Sequence, residues 1–223
     1  MLFSQDAVRA NIRNRNGKRV FYLAKGDHLT SDARDFLTRE RIEILPAETA
    51  RPERYKLLNG GYMEEKPEHM THLYGDVLVE KTHPRIAFRG AMDTLEAEIL
   101  LCQQEIPHLQ KELSQVLQLA RNLLRWEVLD EPAQETTLGG LDAAALRSHS
   151  HRPQDFYGQP HFMPSAEDGQ TILLLNRLRT LARHTELKAA AALSDRPDIL
   201  KMLNRMSSFV YVLMIQEKAA NRR

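Results

Sequence analysis

A single cysteine among 223 residues removes disulfide bonding within the chain as a way of holding it together. Cys102 falls in an amphipathic helical run, where a lone thiol is expected to act as a small buried hydrophobe. Long apolar runs are missing too. No stretch reaches the roughly 18 uncharged residues that a membrane-crossing helix needs, and charges interrupt residues 1–15, where a secretory signal would need an apolar core. A cytoplasmic location is the default expectation. Charge of one sign is also lacking: Lys plus Arg total 31 against 30 Asp plus Glu. Such a balance provides no basic field to draw the chain to nucleic acid. There is no internal repeat and no low-complexity tract. What remains is a chain with 42% hydrophobic residues, enough for a core, and a length suited to one main domain with a small appendage.

The pattern divides into three. KRVFYLA and RIEILP read as short strands on either side of a helix beginning in LTSDARDFL, with Thr30 or Ser31 as its N-cap. This predicts a small α/β unit over residues 1–48. Over 49–83 the composition turns to Pro, Gly, Glu, Lys and His, with the turn signal Asn59-Gly60-Gly61, and reads as linker and loop. From 84 to 223 the periodicity is helical. Pro84 opens one helix, and Pro107 breaks it and starts another that runs to Trp126. Residues 131–164 are punctuated by Gly and Pro, with a short helix over 141–148. Long helices follow over 171–193 and 197–216, parted by Ser194-Asp195-Arg196-Pro197. The expected fold is mainly α, a bundle of about five helices with a small N-terminal α/β arm.

The last two helices carry polar groups inside apolar runs. Asn176, Arg179, Arg183 and Glu186 follow one another at spacings of three, four and three, which lines up one helix face. Asn204, Arg205, Ser207, Ser208 and Tyr211 sit amid Leu200, Leu203, Met206, Phe209, Val210 and Leu213, in a helix too apolar to lie on the surface. Polar groups in such a helix need partners. Arg85, Arg89, Asp93 and Glu96 share a face of the helix after Pro84. Ordinary packing competes with function at each position: Arg89 with Asp93 is a common surface pair, and Asn204 could bond across helices. Ser207 and Ser208 could bond back to the carbonyl one turn earlier. His149, His151 and His161 stand among Ser, Arg and Pro and read as solvated loop residues, while Trp126 and Met202 to Met214 read as core.

The motifs RPDILKMLNRMSSFVYVLM, LLNRLRTLARHTEL and KTHPRIAFRGAMDTLEAEILL occur in this order and resemble the cobalamin adenosyltransferases, above all their ethanolamine-utilisation branch. The resemblance covers roughly residues 70–216, and LTSDARDFLTRERIEIL fits the same branch. It implies transfer of the 5′-deoxyadenosyl group of ATP to the reduced cobalt of a corrinoid, making adenosylcobalamin for ethanolamine ammonia-lyase. Cobalt is then the nucleophile, so the protein supplies positioning, neutralisation of the leaving triphosphate and an apolar corrin face. The motif positions imply Arg183 facing the triphosphate, Asp93 as its ion-pair partner, Glu186 as a Mg²⁺ or nucleotide ligand, and Asn204 at the nucleotide. Arg179, Arg205, Ser208 and Lys81 join them as ATP-binding candidates. On the corrin side the resemblance implies Phe162, which keeps the lower ligand off cobalt, with Met163 and Arg89.

Relatives of this kind resemble dimers or trimers, so a homo-oligomer is implied, with ethanolamine ammonia-lyase and a flavin reductase as further partners and a bacterial microcompartment as a setting. Two departures mark this chain. Before Pro84 it has no counterpart of the Gly/Thr-rich phosphate loop of the propanediol branch, whose corresponding stretch here holds Thr71-His72-Leu73 and Lys81. Nor is there a cysteine between Arg54 and Met70, where some ethanolamine-branch members carry a His and Cys cluster, so soft-ligand metal binding is not expected. His69 and His72 alone make a weak metal signal. Two alternatives stay open: a corrinoid carrier without ATP turnover, and a scaffold protein of a metabolic compartment.

Overall fold

The computed structural model describes residues 1–15, 18–47 and 55–221, arranged in two units. The expected boundary between arm and linker, at residues 48 and 49, lies outside the described residues.

The first unit comprises Met1–Tyr55 and Tyr62–Glu65. Strand β1 (Leu2–Phe3) leads into helix α1 (Gln5–Ala10), which Ser4 caps by accepting the Ala7 amide. Next come β2 (Arg13–Arg15), β3 (Lys18–Leu23), β4 (His28–Leu29), α2 (Ser31–Arg39) and β5 (Glu43–Pro46). β3 pairs antiparallel with β2 and parallel with β5, and β1 pairs parallel with β4. Thr30 is the cap of α2: its Oγ1 accepts the Ala33 amide at 3.3 Å, satisfying one of the orphan donors of the first turn. Arg41 takes the left-handed conformation at φ 53°, which turns the chain so that the Ile42 amide reaches the Leu37 carbonyl. Val8, Phe21, Ala33, Phe36, Leu37 and Ile42 form the core of this unit.

The stretch read as linker holds four short strands: β6 (Tyr55–Leu57), β7 (Tyr62–Met63), β8 (Met70–Tyr74) and β9 (Val77–Glu80). β9 pairs antiparallel with β8 and parallel with β6. Met70 and Leu73 on β8 and Leu78 and Val79 on β9 are buried, and the pairing is irregular between His72 and Tyr74, with Gly75 at φ 50° making the turn between the strands. Burial at this irregular spacing leaves no strand periodicity to read in the sequence.

The second unit, Lys56–Gly61 with Lys66–Arg223, is dominated by helices. These are α3 (Pro84–Glu105), α4 (Gln110–Leu129), α5 (Ala143–His151), α6 (Pro153–Tyr157), α7 (Gln170–Ala192) and α8 (Pro197–Ala220). α3 packs on α4 and α7, and α8 on α7 and α4, which closes a four-helix ring, while α5 and α6 lie against α8. The unit therefore has one helix more than the five expected, α6 being too short for a periodicity to reveal. Pro84, Pro153 and Pro197 each sit in the first turn of their helix, where a missing N–H costs nothing. α8 is buried nearly all round, with Ile199, Leu203, Met206, Phe209, Val210 and Met214 inside the core. Trp126, Met202 and Cys102 are buried as expected, and burial, followed by the nearby Glu98, pushes the Cys102 thiol up to about 11. Such a thiol is inert at neutral pH.

Candidate functional site

α7 and α8 lie side by side, and the polar stripe of each meets the other along their seam. On α7, the fully buried row Ile172, Leu175, Leu178, Ala182 and Ala189 anchors the helix. Asn176, Arg179 and Glu186 fall at the half-buried margin of that row, and Arg183 is exposed. On α8, Asn204, Ser208 and Tyr211 lie one turn apart at the corresponding margin. Together with Ser150 and His151 from α5 and His161 from the loop at 158–165, they enclose a cleft of about 340 Å³. The structure thus brings Arg179, Arg183, Asn204 and Ser208 to one place, with Glu186 directly behind Asn204.

Among the described residues, no carboxylate lines this cleft. The Arg179 guanidinium is oriented by Asn176, whose Oδ1 accepts from Nη2 at 2.9 Å and from Nε at 3.3 Å. Burial, and then the neighbouring Arg183 charge, pull its pKa below the ordinary arginine value. Two guanidinium groups one helical turn apart repel each other, and an anion between them would relieve both. Asn204 Nδ2 donates to Glu186 Oε1 at 3.0 Å, so its own carbonyl oxygen is left to face the cleft as an acceptor. Ser207 and Ser208 each donate to the Asn204 main-chain carbonyl at 3.0 Å, the back-bonding arrangement weighed from sequence, which leaves their oxygens as acceptors as well.

His161 is an exposed loop residue, as expected, and it also closes one wall of the cleft. Its Nε2 lies 3.1 Å from the His151 carbonyl, which can only accept, so Nε2 carries a proton. In the neutral ring Nδ1 is then the acceptor, and the Tyr211 hydroxyl, 2.8 Å away, donates to it. Burial raises the Tyr211 phenol above its ordinary value, against the pull of a Phe162 backbone hydrogen bond and of Arg179, so the hydroxyl keeps its proton. His149 is not a free loop residue: its ring stacks on Phe156 at 3.7 Å and bonds Tyr157 at 2.7 Å.

The other candidates lie elsewhere. Phe162 packs half-buried against the helical core, with the Lys218 ammonium 5.5 Å above its ring, and Met163 beside it is 89% exposed. Lys218 is itself held by Asp168. Arg89 is not paired with Asp93, and its donors are occupied: Nε reaches Glu127 Oε2 at 2.7 Å and Nη2 reaches Oε1 at 3.2 Å. Arg85 approaches the same fully buried carboxylate, Nε to Oε1 at 2.6 Å. This corrects the surface-pair reading of Arg89, whose partner is a buried carboxylate on another helix. Asp93 is exposed and pairs with no residue among those described, Arg183 included, so the expected pair does not form within the chain. Lys81 pairs with Glu68 at 3.0 Å on the β8–β9 side of the unit. Arg205 points out of the cleft, onto the adjacent flank of α8.

His151, His161, Ser150 and Tyr211 were missed as lining residues. Tyr211 alone carried a signal, since it extends the Asn204 and Ser208 stripe by one more turn. The other three come from elements whose placement no local pattern encodes.

Fold and site together define a helical-bundle protein with an uncompensated cationic cleft between its last two long helices. A family model described as cobalamin adenosyltransferase matches residues 61–217. The corrinoid adenosyltransferase EutT of Salmonella typhimurium is 38% identical over 158 residues, which are 68% of this chain and 59% of that protein. The protein of the same name from Escherichia coli is 37% identical over the same length and shares. This chain belongs to the cobalamin adenosyltransferase family. It covers 59% of the length of those two relatives. Among solved structures, two variants of a PduO-type ATP:corrinoid adenosyltransferase from Lactobacillus reuteri, complexed with cobalamin and ATP, align with TM-scores of 0.53 and 0.55. Each is 18% identical, covers 70% of this chain and is itself covered to 91% or 89%, a likeness of fold.

Proposed function

We propose that this chain is an ATP:corrinoid adenosyltransferase that makes adenosylcobalamin for ethanolamine ammonia-lyase. The observation that carries the reading is the pairing of Arg179 with Arg183 in a cleft that no carboxylate lines, in a chain of this family. In the reaction, the electron pair of Co(I) forms a bond to C5′ of ATP, the C5′–O bond breaks, and triphosphate leaves with the electrons of that C5′–O bond. Charge builds on the leaving oxygens as the bond breaks, so two preorganised guanidinium groups lower the barrier where water would have to reorganise. Asn204, fixed by Glu186, offers its carbonyl oxygen to a hydroxyl of the nucleotide. Mg²⁺ fits the free Glu186 oxygen and the Asn204 carbonyl, a hard oxygen pair that leaves most of its shell to phosphates and water. When bound it would share the neutralisation of the triphosphate.

On the corrin side the reading keeps Phe162 and Met163, at the loop fastened to the cleft by His161 and Tyr211. An apolar ring that excludes an axial ligand would ease reduction to Co(I). The proposal includes a homo-oligomer, dimer or trimer. Its support is that Asp93 on α3 and Arg183 on α7 are both exposed and free of ion pairs among the described residues, near exposed Leu100, Leu101 and Leu187. A flavin reductase as electron source, and a cytoplasmic site at a microcompartment, complete the reading. Among the described residues no helix is long and apolar enough to cross a membrane.

The test is the visible spectrum of the anaerobic protein with ATP, Mg²⁺ and chemically reduced cobalamin. Catalytic growth of a light-sensitive Co–C species is expected. A shifted Co(II) spectrum without product would replace the enzyme with a carrier, and no spectral change would leave a scaffold.

A further inference from the structure

A second cleft, of about 320 Å³, opens on the adjacent flank of α8, where Lys201 and Arg205 face Arg147 and Asp142 of α5 and Glu135 of the preceding loop. Its two carboxylates are engaged. Glu135 pairs with Lys201, and Asp142 caps α5 by accepting the Ala145 amide at 2.7 Å. Its two guanidinium groups are not: neither Arg147 nor Arg205 makes an ion pair among the described residues, and Arg205 Nε is buried without a hydrogen-bond partner. A buried charged donor that lacks an acceptor is costly, and such a donor marks a place where a ligand atom belongs.

We propose that this cleft is an oxyanion site that takes a phosphate group between Arg147 and Arg205. Each guanidinium presents a planar fork that matches two phosphate oxygens, and a phosphate dianion answers two cations where a carboxylate would answer one. Ala143 and Ala144, the first residues of α5, line the same cleft and turn the positive end of that helix toward it. Three cations against two carboxylates leave the cleft one net positive charge, Arg147, Lys201 and Arg205 against Glu135 and Asp142. The site is distinct from the cleft around Arg179 and Arg183, with which it shares no lining residue, and it stands whether or not the chain transfers an adenosyl group.

The experiment is calorimetric titration of the full chain with inorganic phosphate, in the Arg183→Ala background so that the first cleft is disabled. Phosphate binding is expected to persist there and to weaken about tenfold on Arg147→Gln, the loss of one charge-assisted contact. Arg147 is exposed, so this variant keeps its fold, and Arg205→Gln should weaken binding at least as much. Unchanged affinity in Arg147→Gln overturns the proposal, as does loss of all phosphate binding with Arg183→Ala alone. Adding ATP to the phosphate-loaded Arg183→Ala protein separates the sources. Displacement of phosphate assigns the site to a phosphate carried on a nucleotide, and its retention assigns the site to the free ion, each upholding the oxyanion chemistry.

Discussion

Two pairs of arginines, each spaced by one helical turn, meet opposite fates in this bundle. Arg85 and Arg89 on α3 converge on Glu127 of α4, a carboxylate with no exposed surface, and their charge is spent on joining two helices. Arg179 and Arg183 on α7 converge on a cleft without a carboxylate, and their charge is unspent. Spacing is identical in the two pairs, and so is residue type. What separates a neutralised arginine pair from an unpaired one is the counter-ion that the fold brings or withholds, and that resides on another helix, 38 to 42 residues away for Glu127.

The largest effect should come from Arg183→Ala. Removing one preorganised donor to a developing oxyanion costs roughly a hundred- to a thousandfold in turnover. Because Arg183 is exposed and bonds nothing among the described residues, folding stability should move by less than about 0.5 kcal/mol. Turnover assays beside urea unfolding curves check both halves, and activity within a few-fold of the parent would break the comparison from the functional side. From the structural side the matching change is Glu127→Ala. It leaves two partly buried guanidinium groups without a carboxylate partner and should cost about 3 kcal/mol in the same unfolding curves, while ATP affinity of the folded protein stays unchanged. An unfolding midpoint equal to that of the parent would show that Glu127 holds nothing together.

The same contrast explains what could be read from sequence. Helix starts at Pro84, Pro197 and Thr30 were legible because capping and the missing proline N–H are local facts. The stripe of Asn176, Arg179, Arg183 and Glu186 was legible because helical spacing puts it on one face before any neighbour is known. Its partner stripe on α8 was visible too, up to Tyr211. The fate of Arg89 was not legible, since Asp93 four residues on was the nearer candidate and Glu127 lay beyond any local pattern. The contacts of His161 were not legible for the same reason, because Tyr211 and the His151 carbonyl are brought to it by the fold. The β8–β9 hairpin failed differently. MTHLY and VLVE bury Met70, Leu73, Leu78 and Val79 at irregular spacing, with a register shift between His72 and Tyr74, so no period-two signal marks them in a stretch rich in charge and glycine.

A third arginine refines the contrast, because its counter-ion can be titrated. Arg196 donates to Asp198 at 3.0 Å and to the Glu131 carbonyl at 2.6 Å, while Asp198 also accepts the Ala133 amide at 2.8 Å, which ties the start of α8 to the chain leaving α4. The Arg196 hydrogen bond first, and the Ala133 and Ile199 amides after it, lower the Asp198 carboxyl from 3.8 to about 2. A carboxyl whose pKa is lower in the folded than in the unfolded chain stabilises the fold above its ordinary pKa and loses that contribution as pH falls toward its folded value. The window is therefore about pH 4 down to about pH 2. With the side chain 32% exposed, solvent screening reduces the contribution to about 1 kcal/mol. Asp198→Asn should be less stable than the parent by that amount at pH 6 and should converge with it near pH 2, as urea midpoints at the two pH values would register. Arg183→Ala, which removes no ion pair among the described residues, should leave the acid limb of the parent unchanged, and a shifted limb there would mean that the cleft has a counter-ion after all.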